Sequence, residues 1–135
     1  VGDLGRVSES LDEAEIEAFM SAILRARRVF LIGAGREGLA TRAFTMRLMH
    51  LGKVAHWIWD DTTPAIGPGN LLIATSGSGA IGHVDYVFDR AVAAGAETAG
   101  ELAFSPLIRT CLKSSSEAEY GVVKDACVSD GRRRL

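Results

Sequence analysis

Apolar residues in this chain recur at two periods, and the switching between them predicts its architecture. Ile16, Phe19, Met20, Ile23 and Leu24 fall three and four apart, the spacing of one helix face. Ser10-Leu11-Asp12-Glu13 ahead of them has the form of a capping box. Glutamates crowd the start of this segment and Arg25, Arg27 and Arg28 its end, as the helix dipole prefers. Val29-Phe30-Leu31-Ile32 is a short continuous apolar run, the pattern of a strand buried on both faces. A second helix is expected from roughly Gly38 to Leu51, with Leu39, Ala43, Phe44 and Leu48 as its buried face. Val54 to Trp59 predicts a second strand, with Trp57 and Trp59 on one side of the sheet as core or subunit contact. A polar loop, Asp60-Asp61-Thr62-Thr63-Pro64, and a turn, Ile66-Gly67-Pro68-Gly69-Asn70, lead to a third apolar run over residues 71–75. The last clear segment is a helix with Val84, Val87, Phe88, Ala91 and Val92 on one face and Gly95 as its stop.

This order, helix then β-α-β-loop-β-α, predicts an α/β fold: a doubly wound parallel sheet in a three-layer α/β/α sandwich. Residues 1–96 form the expected core. Residues 97–135 read as a divergent segment, because Glu97 to Phe104 carries two glutamates, a glycine and little β-branching. Beyond it, Ser116 with Glu119 can cap a weak final helix, and Arg132-Arg133-Arg134 reads as a frayed end. Residues after about Gly100 are expected to be less ordered than residues 10–95, since they offer little apolar surface to offset chain entropy.

Two glycine loops follow predicted strands, and in such sheets ligands bind at the strands' carboxyl ends. Ser76-Gly77-Ser78-Gly79-Ala80 joins a buried strand to a helix. Its glycines permit close backbone approach, its hydroxyls and the helix amides donate, and a phosphate is the expected anion. Gly33-Ala34-Gly35-Arg36-Glu37-Gly38 fits the dinucleotide pattern GxGxxG, and Asp60 lies about twenty residues further on, where a ribose-binding acid is expected. Arg36 within that loop suits a sugar phosphate or a carboxylate instead. A second anion loop is not needed for NAD. His50 falls at a helix end, where an imidazole can cap carbonyls or act in proton transfer.

Composition narrows the partners. A formal net charge of −2 argues against non-specific nucleic-acid binding, which needs a basic face. Cys111 and Cys127 fit no metal-ligand spacing and suggest a reducing, cytoplasmic setting. No apolar run approaches ~18 residues, so no membrane span is expected, nor a signal peptide.

Val29 to Arg36, Arg42 through Gly52 (RAFTMRLMHLG), Thr62-Thr63-Pro64-Ala65-Ile66-Gly67 and Leu71 through Gly79 together resemble the 6-phospho-3-hexuloisomerase branch of the sugar isomerase (SIS) domain family. The resemblance runs from about Leu11 to Gly95. It implies a flavodoxin-like SIS fold and a homo-oligomer, a dimer or tetramer. It further implies a phosphorylated ketohexose as ligand, and interconversion of 3-hexulose 6-phosphate with fructose 6-phosphate without metal or organic cofactor. On matching positions, Ser76 and Ser78 with the 77–80 amides would hold the phosphate, and Gly35, Arg36, Thr62 and Thr63 would line the sugar site. His50 becomes a candidate for proton transfer during ring opening. Glu37 stands where the family usually has serine, placing a carboxylate beside the sugar. Ala80-Ile81 replaces a polar pair. The family's base, a glutamate after a Met-Gly turn in a later segment, has no counterpart in the pattern here, so a phosphosugar-binding module with low or no turnover is the alternative.

Overall fold

The computed structural model describes residues 13–76 and 81–102. Helix α1 (Glu13–Arg25) precedes strand β1 (Arg28–Gly33), helix α2 (Gly35–His50) and the three-residue strand β2 (Ala55–Trp57). Strand β3 (Asn70–Ser76), helix α3 (Gly82–Ala93) and strand β4 (Glu97–Leu102) complete the series. The four strands form one parallel sheet in the order β2-β1-β3-β4. The expected α/β/α sandwich with a doubly wound sheet is the observed fold.

The sheet is buried because its strands carry apolar residues toward both faces. Val29, Leu31, Leu71 and Ile73 face one side, where Ala22 and Ile23 of α1 and Leu48 of α2 cover them. Phe30, Ile32, Leu72 and Ala74 face the other, under Val84 and Ala91 of α3. β1 leads through α2 to β2 on one side, and the chain then crosses back to β3 on the other. Crossovers of one hand that leave in opposite directions must put their helices on opposite faces. The strand order therefore reverses between β1 and β3, whose registered carboxyl-end residues are Gly33 and Thr75.

Both α2 and α3 end in the same device. Gly52 (φ 85°) and Gly95 (φ 76°) take the left-handed conformation. The next residues, Lys53 and Ala96, donate back to Leu48 O and Ala91 O at 3.0 Å, which satisfies carbonyls the helix leaves open.

Several elements depart from the pattern reading. α2 starts at Gly35, three residues before the expected Gly38. Its buried face is Gly38, Thr41, Thr45 and Leu48, whereas Leu39 is 74% exposed and Ala43 also faces outward. On α1, Ile23 is buried with Ala22, but Ile16, Met20 and Leu24 are exposed. Trp57 and Trp59 do not share an environment: Trp57 joins the core while Trp59, past the end of β2, is 53% exposed. A strand forms at Glu97–Leu102 despite its weak composition, so the sheet continues past Ala96. Registered pairing along β3 and full burial of Thr98 and Ala99 outweigh intrinsic preference. Glu97 also meets Arg25 of α1 in an ion pair. The capping serine at Ser10, the weak helix after Ser116 and the rest of the segment beyond Leu102 lie outside the described residues.

Candidate functional site

Because every strand points the same way, β1, β2 and β3 deliver their following loops to one edge of the sheet. Gly35, Arg36 and Glu37 form the first turn of α2 there, Thr62 and Thr63 lie in the loop after β2, and Ser76 closes β3. The crevice between β1 and β3 at this edge is the strand-order reversal, the place where open α/β sheets bind ligands.

The first turn of α2 is held by close backbone contact and by hydroxyls. A Cβ on Gly38 would stand 2.8 Å from Gly33 O, and one on Gly33 would stand 3.0 Å from the Gly38 Cα. Only glycine at both positions lets the helix start this near the strand. Thr75 Oγ1 of β3 lies 2.5 Å from Thr41 Oγ1, which donates at 2.7 Å to Glu37 O. With Thr41 donating onward, the consistent order is Thr75 to Thr41 to the carbonyl of Glu37. β3 and the mouth of α2 are thus joined by a buried two-hydroxyl link. The sequence reading missed Thr41 and Thr75; their signal was polar residues at core positions of a helix and a strand.

Gly35 has φ 59°, which a side chain would strain. Ala34 before it is extended and gives no side-chain cap, so the leading amides of α2 face the edge. Arg36 is exposed on this same turn. A cation at a helix N-terminus opposes the dipole by about 0.3–1 kcal/mol, and an incoming anion relieves both. The Glu37 carboxylate folds back over the turn, with Oε2 3.9 Å from where a Cβ of Gly35 would be.

In the loop after β2, Thr63 Oγ1 donates to Trp57 O at 2.7 Å and its amide donates to Asp60 O at 3.0 Å. Its hydroxyl proton is thereby committed, leaving the oxygen to accept from a ligand. Thr62 is exposed and Ser76 is buried. Asp60 lies 3.9 Å from Arg42 of α2, an exposed pair. Gly77, Ser78, Gly79 and Ala80 lie outside the described residues.

His50 is not in this cluster. It is the last residue of α2, exposed, at the opposite edge of the sheet from Glu37. At a rise of 1.5 Å per residue the two are roughly 20 Å apart along the helix. One chain does not bring them together. Among the described residues, no group of three or more His, Cys, Asp or Glu side chains is arranged to hold a metal ion. Nor is any helix there long and apolar enough to cross a membrane.

No family model matches the chain. A 3-hexulose-6-phosphate isomerase of Mycobacterium gastri is 39% identical over 97 residues, 72% of this chain and 49% of the relative. A protein of the same name from Methanocaldococcus jannaschii is 40% identical over 65 residues, 48% of this chain and 36% of the relative. Over the matched residues the chain is similar in sequence to the 6-phospho-3-hexuloisomerase branch of the sugar isomerase (SIS) family. The SIS fold is met again among solved structures. A hypothetical protein from Methanococcus jannaschii, with an inferred function of 3-hexulose-6-phosphate isomerase, superposes with a TM-score of 0.65 at 24% identity, covering 100% of this chain and 92% of that one. The chain spans about half the length, or less, of the curated relatives it matches.

Proposed function

We propose that the crevice at the carboxyl edge binds a phosphorylated ketohexose and interconverts 3-hexulose 6-phosphate with fructose 6-phosphate. The observation that carries this reading is the 39% identity over 97 residues with a relative named 3-hexulose-6-phosphate isomerase. In the reaction a base takes the proton from C2 of the 3-hexulose, giving an enediolate across C2 and C3. The hydroxyl proton passes from O2 to O3, the carbon proton returns to C3, and the carbonyl is left at C2. Donors beside the developing oxyanion lower the barrier. Arg36 and the leading amides of α2 are such donors, Ser76 and Ser78 hold the phosphate, Thr62 and Thr63 line the sugar, and Glu37 is the carboxylate placed to move the proton. His50 can serve the same reaction only from a second copy of the chain, which is consistent with a homo-oligomer.

A calorimetric titration with fructose 6-phosphate beside an isomerase assay tests the proposal. Two or three charge-assisted hydrogen bonds to phosphate support affinities from about millimolar to micromolar. The double variant Ser76→Ala/Ser78→Ala should bind at least about tenfold more weakly, and Glu37→Gln should bind normally while losing turnover. Binding without turnover in the unaltered chain would favour the phosphosugar-binding module. Saturable NAD binding lost in Asp60→Ala would replace both with a dinucleotide site.

A further inference from the structure

One pair of side chains at the carboxyl edge belongs neither to the core nor to the residues assigned above. Trp59, two residues past β2, and His83, the second residue of α3, hold their ring centroids 5.8 Å apart at 59°. Both residues are exposed, and Trp59 is a large apolar surface left in water at the rim of the crevice. The tilt of a helical Cα–Cβ bond toward the N-terminus sends the His83 imidazole back toward this edge. Beneath the pair, Ala34, Ile58 and Ile81 pack against the core cluster on the α3 face. Trp59 and His83 therefore meet at the carboxyl edge on the α3 side of the sheet, joining the segment after β2 to the first turn of α3.

We infer that Trp59 and His83 form the wall that receives the sugar portion of the ligand, with His83 contacting its hydroxyls. An indole face offers an apolar platform to the C–H groups of a sugar while its edge stays in water. A neutral imidazole presents one donor and one acceptor, which matches a hydroxyl that both gives and takes a hydrogen bond. Trp59 also acts through its neighbour: its ring contact holds the imidazole, and losing it frees His83 to turn away. This rests on the phosphosugar reading and adds to it a specificity element at a position with no other assignment.

The test compares two probes, fructose 6-phosphate and inorganic phosphate, on the full chain. His83→Ala should weaken fructose 6-phosphate at least about fivefold and leave inorganic phosphate within about twofold of the unaltered chain. Trp59→Leu should weaken the sugar phosphate in the same selective way. Because both side chains are exposed, the thermal midpoint should hold in each variant. Unaltered sugar-phosphate affinity in His83→Ala overturns the inference and leaves the phosphosugar reading standing, as does equal weakening of both probes. A wild-type chain that binds neither probe overturns both.

Discussion

Gly38 illustrates how a single atom can decide where a helix begins. A methyl group there would meet Gly33 O at 2.8 Å, and that oxygen is backbone, so the strand or helix would have to shift. Overpacking of this kind costs about 1–3 kcal/mol. Gly38→Ala is therefore expected to lower the unfolding free energy by that amount in urea titrations, and to weaken phosphosugar binding because the α2 mouth moves. The glycine spacing made this loop legible in the sequence. Thr41 and Thr45 were not legible, and the reason is physical. Apolar counting assigns the buried face of α2 to Leu39 and Ala43, yet each threonine returns its hydroxyl to the carbonyl four residues earlier, at 2.7 and 2.9 Å. A threonine bonded in this way has an apolar methyl to bury and no unmet donor. Thr98 behaves differently: its hydroxyl is buried without a partner among the described residues.

At the scale of elements, the strands were readable because burial on both faces leaves an unbroken apolar run, whereas β4 was not because its neighbours, more than its residues, make it a strand. α1 shows a contact that no local pattern announces. Lys53, just after α2, reaches the end of α1 and donates to Leu24 O at 2.9 Å and Ala26 O at 2.8 Å. Those carbonyls have lost their helical partners, and a cation is the favourable cap for them. Lys53→Met keeps the stem and removes the donors. It should cost about 1 kcal/mol, read as a lower denaturation midpoint, and free the α1 terminus to exchange its amides faster. Fructose 6-phosphate affinity should be unchanged, since this contact lies at the edge away from the crevice.

For the whole molecule, α2 is long enough to set its first and last residues at opposite edges of the sheet. Under the proposal that His50 acts in the isomerase reaction, each working site draws on two copies of the chain. Arg36→Ala and His50→Ala should each be inactive alone. Mixed after unfolding and refolding together, they should recover a fraction of wild-type turnover, up to about a quarter for a random dimer in which one site of the mixed pair is intact. No recovery, with both variants folded and associated, would remove His50 from the reaction. Fold class and edge location were legible from strand and loop order alone. Which copy supplies a residue is not, because sequence spacing carries no information about a neighbouring chain.

The contrasting settings of the two tryptophans give the molecule a built-in optical readout. Trp57, packed in the core, should emit toward the blue and resist an aqueous quencher; Trp59, open to water at the rim, should emit toward the red and be quenched readily. The blue component then reports whether the sheet is intact, and the red one whether anything has entered beside it. Folding and occupancy can be followed in one cuvette without attaching a label.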